Sequence, residues 1–260
     1  MRDNVLKPIT AAEGLYSGRI KLYPTAAGGE DIAQIMICDK QIFNPHGFEI
    51  QRKPLSVLTD NEQKAEPNAD NSAANFERSC RRAKARLYDI VMCTHSFKYF
   101  VTLTISPDTA DRTDYKAIIC KMNNWLDNNV RRRGLSYALV PEFHADGESI
   151  HFHGFFNDAL ELIDSTKRTK DGKIIFNIPA FKMGFNTAIE ITGEYIAACR
   201  YILKYVGKSG TRVGSRFYLS GGELGSPSYQ YFNGELDELK EGKTFSPSGS
   251  GRTFRVQKLR

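Results

Sequence analysis

Two histidines, His151 and His153, follow a short loop that contains an Asp-Gly dipeptide at positions 146–147. An Asp-Gly pair between apolar runs favours a β-hairpin, so the segments on either side are predicted to pair as antiparallel strands. A hairpin that closes symmetrically about the dipeptide sets Glu142 directly opposite His151. Because alternate side chains of a strand point to the same side, both histidines and the glutamate would lie on one face of a sheet.

Two imidazoles and a carboxylate on one face can bind a metal ion. Such a set leaves coordination positions open for a substrate, as catalytic metal sites do, so we expect His151, His153 and Glu142 to be metal ligands. A His-x-His pair on a strand is more often a surface or packing pair, but the facing glutamate favours the metal. His144 lies two residues from Glu142 on the same strand face. It is expected to be either a fourth ligand or a DNA contact near the turn.

A second motif lies about fifty residues further along the chain. Residues 196–206 carry apolar side chains at helical spacing without proline, which predicts a helix. At about 100° per residue, Tyr201, Lys204, Tyr205 and Lys208 fall within an arc of roughly 100°. One face of this helix would therefore present two phenols and two ammonium groups.

The chemistry of this face is that of a nucleophile. A phenol has an unperturbed pKa of about 10, so it reacts poorly unless neighbouring positive charge favours the phenolate. Lys204 and Lys208 would supply that charge or hold a phosphate. Tyr195 lies on the opposite, apolar arc and is predicted to be a core tyrosine. Taken alone, a tyrosine pair four residues apart is usually a packing contact, and exposed lysines are usually only solvated.

Three motifs in order resemble the signature of a known family. The strand-like residues 100–104, the His-hydrophobic-His motif and the Tyr-x-x-Lys-Tyr-x-x-Lys motif are similar to those of HUH endonucleases, the rolling-circle replication initiators. The doubled tyrosine resembles the initiators of small single-stranded DNA phages and related plasmids. The resemblance covers residues 75–210, roughly half of the chain.

The resemblance implies a reaction and its participants. In this family two histidines, often with a further polar residue, hold Mg²⁺ or Mn²⁺ at a phosphodiester of single-stranded DNA. A tyrosine attacks, leaving a 5′-phosphotyrosyl enzyme and a free 3′-hydroxyl that primes a host polymerase. His151 and His153 correspond to the metal pair and Tyr201 and Tyr205 to the tyrosine positions, with Tyr205 the first choice of nucleophile.

Two alternatives remain open at the level of the sequence. One is a transposase or mobilisation relaxase of the same chemistry, which would act on paired DNA hairpin ends. The other is a non-catalytic origin-binding or copy-control protein. The expected partners are single-stranded or supercoiled origin DNA together with a host helicase and DNA polymerase, because the chain has no phosphate-loop helicase motif.

The composition agrees with a nucleic-acid partner and sets the expected compartment. The formal net charge is +6, a modest excess that favours a polyanionic ligand. The five cysteines are odd in number and have neither metal-site nor disulfide spacing, which fits a reducing compartment. Without a long apolar run or a signal-peptide core, we expect no membrane insertion and a location in a bacterial cytoplasm.

The predicted fold class is α+β, a central antiparallel sheet with helices packed against one face. We expect an accessory region and linker over residues 1–70, an endonuclease domain over 71–215, and a C-terminal extension over 216–260 that ends in a flexible basic tail. Helices are predicted over 75–93 and 111–133, strands over 97–105 and 173–191, and a polar connection over 157–172.

Basic residues recur on the first predicted helix and at the end of the second. The helix over 75–93 carries Arg78, Arg81, Arg82, Lys84 and Arg86. This charged run is either a solvated face or a contact to a DNA backbone. The arginine triplet at 131–133 is explained nearly as well by the helix dipole as by DNA.

Overall fold

The computed structural model describes residues 15–24, 32–38, 69–111, 113–143, 149–192, 195–208, 212–235, 243–245 and 254–259. The chain divides into two compact units, one formed by residues 1–68 and 227–260 and the other by residues 69–226. The predicted hairpin turn and His144 lie outside the described residues. Within those residues, no helix is both long and apolar enough to cross a bilayer.

The described residues form three helices and twelve strands. The helices are α1 (Ala69–Cys93), α2 (Tyr115–Arg133) and α3 (Tyr195–Leu203). The strands are β1 (Leu15–Tyr23), β2 (Ile32–Cys38), β3 (Tyr99–Thr104), β4 (Tyr137–Phe143), β5 (Ile150–Phe156), β6 (Ile163–Arg168), β7 (Ile174–Asn177), β8 (Asn186–Glu190), β9 (Leu219–Gly221), β10 (Ser228–Glu235), β11 (Lys243–Phe245) and β12 (Phe254–Leu259).

The two units each contain one antiparallel sheet. The unit made from both ends of the chain holds five strands in the order β10-β1-β2-β12-β11. The unit over residues 69–226 holds all three helices and seven strands in the order β6-β7-β8-β3-β5-β4-β9. The predicted α+β class with a central antiparallel sheet is therefore confirmed.

The predicted hairpin has the expected register. Strands β4 and β5 pair antiparallel with Glu142 opposite His151, and β3 pairs with the other edge of β5. Helix α2 ends as its arginine triplet indicated, because Gly134 adopts a left-handed conformation (φ 72°) and its N–H closes on the last turn. At the other end the side chain of Asp114 accepts a hydrogen bond from the N–H of Ala117.

Helices cover both faces of the seven-stranded sheet, so the prediction that they pack against one face is wrong. On one face, Phe152 and its alternate neighbours pack against buried side chains of α2 such as Met122. On the other face, Phe155 stacks near Tyr195 of α3, which packs against α1. The aromatic residues of β5 occupy both faces because successive strand side chains alternate, and each face therefore needs its own cover.

Four element boundaries differ from the predictions. Helix α1 begins at Ala69, inside the expected linker, because a run rich in Ala and free of proline extends it. The expected polar connection contains β6, which pairs with β7, and the single predicted strand over 173–191 is split into β7 and β8. Residues 254–259 of the expected flexible tail form β12, which pairs with β2 and β11.

Gly154 of β5 generates a prediction about stability. A Cβ at this position would lie 1.9 Å from the carbonyl oxygen of Ala138 and 2.8 Å from the Cα of Leu139. Because both atoms belong to the backbone of β4, Gly154→Ala must push the central strands apart. We expect the free energy of unfolding to fall by about 3 kcal/mol.

Denaturant unfolding followed by fluorescence of Trp125, the single tryptophan of the chain, measures this change. Gly172→Ala is the control, because Gly172 has a positive φ of 83° but no atom within 4 Å of a Cβ. We expect that variant to lose about 1 kcal/mol, the cost of left-handed backbone alone. Equal losses in the two variants would contradict the steric argument.

Candidate active site

The predicted site residues occupy two neighbouring rows across the central strands. In the first row Thr104, His151 and Glu142 face one another on β3, β5 and β4. In the second row Thr102 faces His153. The pleat directs all five side chains to the sheet face that α1 and α3 cover. The structure thus places both histidines and the glutamate on one face, as the sequence predicted.

Two threonines hold the histidine rings. The hydroxyl of Thr104 lies 2.8 Å from Nδ1 of His151, and the hydroxyl of Thr102 lies 3.1 Å from Nδ1 of His153. The rings are 6.0 Å apart between centroids and nearly parallel. With Nδ1 held by a hydroxyl, Nε2 is the nitrogen through which each imidazole would bind a metal.

Glu142 lies between His153 and a cation. One of its oxygens is 3.4 Å from Nε2 of His153, and the other accepts a hydrogen bond of 2.6 Å from the ammonium of Lys208. Only 14% of the Glu142 side chain is exposed. The carboxylate is therefore buried at the centre of the site and paired with a lysine that itself reaches solvent.

The pKa of His153 is lowered from its ordinary value. Burial is the main cause, and the nearby His151 and Lys208 lower it further, while the charge of Glu142 opposes the shift. A lowered pKa keeps this imidazole neutral at physiological pH, which is the form that binds metals.

The donor types suit a divalent cation, since two imidazoles and a carboxylate accept several such ions. In the part of the chain that the structure describes, however, no three His, Cys, Asp or Glu side chains lie close enough together to form a metal site. A metal here would compete with Lys208 for the carboxylate of Glu142.

The tyrosine motif lies against the same face. The ring of Tyr205 stacks on His153, with centroids 4.9 Å apart and an interplanar angle of 22°. Tyr201 meets Tyr205 edge-on at 5.0 Å and also contacts Phe100 of β3 at 5.7 Å. A continuous aromatic contact thus joins the tyrosines to the histidine row.

The tyrosine helix is shorter than the sequence predicts. It ends at Leu203, so Tyr205 and Lys208 lie in the turns that follow. There the N–H groups of Lys204, Tyr205 and Lys208 bond three residues back instead of four. Gly207 (φ 75°) completes the turns in left-handed backbone, and a Cβ there would lie 2.5 Å from the sulfur of Cys80 on α1. Close packing against α1 therefore ends the helix early.

The pKa of Tyr205 is raised, and the lysines do not activate it in this arrangement. Burial is the largest cause, followed by the hydrogen bond and charge of Tyr201 and by the charge of Glu142. The ammonium of Lys208 lies 5.3 Å above the Tyr205 ring and bonds to Glu142, and that of Lys204 lies 6.0 Å above the ring of Tyr201. The protein alone thus holds Tyr205 as a neutral phenol.

The sequence did not single out the two threonines as functional. Their alternation with Val101 and Leu103 is an ordinary half-buried strand pattern. Their contacts with His151 and His153 depend on which strand pairs with the free edge of the hairpin. The available signal was the matching period, since both threonines and both histidines are two residues apart.

Residues 98–210 match the model of a family of replication-associated proteins of the ORF2 type. The match spans less than half of the chain and includes every predicted metal ligand and tyrosine. No curated protein and no solved structure matches the chain. The match supports a role in DNA replication of the kind that initiator proteins perform, and it is consistent with DNA binding and with nuclease activity in general.

Tyr195 is a structural tyrosine, as predicted. Its hydroxyl donates to the carbonyl oxygens of Val91 at 2.6 Å and Thr94 at 3.2 Å, and burial raises its pKa. Tyr195→Phe would leave these carbonyls without the phenol donor. We expect the free energy of unfolding to fall by about 1 to 2 kcal/mol, measured by denaturant titration. A variant as stable as the parent would contradict the anchoring role.

Proposed function

We propose that this protein is a metal-dependent nicking and joining endonuclease that initiates rolling-circle replication on single-stranded origin DNA. The observation that carries the proposal is the 4.9 Å stack of Tyr205 on His153, which joins a nucleophile to the row of candidate ligands. The family match over residues 98–210 supports a replication role for the same segment.

His151, His153 and Glu142 would hold the metal. A bound Mg²⁺ or Mn²⁺ would polarise the scissile phosphate and stabilise the negative charge of the attacking phenolate. The protein's own part is to orient the ligands, and the threonine hydroxyls on both Nδ1 atoms do this. Burial of Glu142 and His153 keeps bulk water from the ligand atoms.

The reaction transfers one phosphodiester bond. The phenol of Tyr205 loses its proton and its oxygen attacks the phosphorus, forming the tyrosyl ester. The bond between phosphorus and the 3′ oxygen breaks, and that oxygen takes up a proton to give a free 3′-hydroxyl. Because the ester conserves the bond energy, a 3′-hydroxyl can later reverse the step and rejoin the strand.

The second tyrosine would complete the cycle. Tyr201 lies edge-on to Tyr205 and 44% of its surface is exposed. It could attack the regenerated origin while Tyr205 still carries the first 5′ end. Lys204 and Lys208, which lie over the two rings, would offset charge on the phosphoryl oxygens.

The partners follow from this chemistry. The free 3′-hydroxyl needs a DNA polymerase, and strand separation needs a helicase or negative supercoiling. We propose that a bacterial host supplies both in its cytoplasm.

The first test is covalent attachment. The purified protein is incubated with Mn²⁺ and circular single-stranded or supercoiled DNA carrying candidate origins, and denaturing gels are searched for a DNA-linked protein band. We expect an adduct that EDTA abolishes and that mass spectrometry maps to Tyr205. Tyr205→Phe should reduce the initial adduct at least about 100-fold, because a phenyl ring has no nucleophile.

Tyr195→Phe is the matched control, since it removes a phenol from the same helix at a site that anchors α1. It should keep full adduct formation under conditions where it is folded. Persistent cleavage in the Tyr201→Phe/Tyr205→Phe double variant would refute the tyrosine mechanism. Origin binding with no adduct and no effect of chelator would favour the non-catalytic protein, and a preference for paired hairpin ends would favour a transposase or relaxase.

The threonine hydroxyls provide a test of the metal site that does not depend on DNA. Thr102→Val/Thr104→Val removes both hydrogen bonds to Nδ1 at nearly constant volume. We expect Mn²⁺ affinity, measured by isothermal titration calorimetry, to fall by about 10-fold or more. Thr102→Ser/Thr104→Ser keeps the hydroxyls and should retain affinity. Equal affinities in the two variants would exclude the orienting role.

A further inference from the structure

A cavity of about 630 Å³ lies in the unit of residues 69–226, apart from the histidine and tyrosine rows. Its walls come from α1, α2, the beginning of β4 and the segment around β9. This volume lies within the range of sites that bind small molecules or single nucleotides. None of the proposed metal ligands or tyrosines lines it.

Four arginines dominate the charge of this cavity. Arg82 and Arg86 come from α1, and Arg212 and Arg216 come from the segment before β9. Asp127 is the one acidic residue among the lining residues. Among the residues that the structure describes, none of the four guanidinium groups forms a salt bridge of 4.0 Å or less. The positive charge of the cavity is thus left available to an anion.

Aromatic rings lie beside these arginines. The guanidinium of Arg212 lies 4.8 Å from the centre of the Phe217 ring, and Tyr218 and Tyr137 line the same cavity. The charge of Arg86 lowers the pKa of Tyr218 against the effect of burial, which shows that the two side chains are close. Rings next to guanidinium groups are the usual means of holding a nucleotide, with the base stacked and the phosphate paired.

The cavity also borders the tyrosine turns. A Cβ on Gly207 would lie 3.8 Å from the ring of Phe217, and that ring contacts Phe76 of α1. A strand held in the cavity would therefore lie against the same wall that ends the tyrosine helix.

We propose that this cavity is a second anion site that holds a backbone phosphate of single-stranded nucleic acid away from the scissile bond. The arginines would pair with the phosphate and the rings would stack on its base. The proposal rests on the proposed function for the identity of the strand. The binding itself requires neither a metal nor the tyrosines.

The test compares two double charge reversals on one helix. Arg82→Glu/Arg86→Glu changes the cavity, whereas Arg78→Glu/Arg81→Glu changes exposed arginines of α1 that do not line it. Both are made in the Tyr201→Phe/Tyr205→Phe background and assayed with EDTA by fluorescence anisotropy of a labelled oligothymidylate. Chemistry at the candidate active site therefore cannot affect the result.

We expect the cavity variant to bind at least about 10-fold more weakly and to lose about 0.7 from the slope of log affinity against log salt, the contribution of one phosphate. The control variant should change affinity by no more than about 3-fold. Equal losses in the two variants would overturn the proposal. Arg212→Gln/Arg216→Gln, which alters a different wall without reversing charge, should weaken binding in the same direction, and unchanged binding would also overturn it.

A mononucleotide distinguishes a strand from a free nucleotide. Thymidine monophosphate should bind far more weakly than the oligonucleotide, because it offers one phosphate and no flanking chain. Affinity equal to that of the oligonucleotide, lost in the cavity variant, would overturn the strand assignment. Loss of nicking without loss of anisotropy would refute the proposed function alone, so the two failures remain distinguishable.

Discussion

The antiparallel register of β3, β5 and β4 is the constraint on which the rest of the site depends. A shift of one residue would move His151 and His153 to the opposite face of the sheet, into the layer that α2 covers. The observed register instead brings a threonine, a histidine and a glutamate into one row. The backbone approach at Gly154 fits this same register, since no larger residue has room against β4.

The hairpin half of the site could be predicted because its register is local. An Asp-Gly dipeptide and a short loop determine which residues face each other, so Glu142 could be set opposite His151 from the sequence. The threonine half could not, because β3 reaches β5 through a connection of more than forty residues. The end of α3 was missed for a similar reason, since contact with Cys80 of α1, not helix propensity, decides it.

The same distinction explains the errors in the fold. Helices on both faces follow from apolar residues on both faces of β5, and short sequence periods do not show which helix covers which face. Strand β6 was missed because most of its residues are exposed and polar. Its backbone pairing with β7, together with the bidentate contact of Arg168 to Asp164, holds a segment that hydropathy alone describes as a loop.

The two tyrosines are held differently, and this bears on how they would divide the work. Tyr205 stacks on His153 beneath Lys208, so its ring is fixed by contacts on several sides. Tyr201 touches Phe100 and Tyr205 by its edges and is more exposed. A fixed ring favours a first attack on a strand aligned by the sheet. An exposed ring one turn away retains the freedom to meet a second strand after the first tyrosine is occupied.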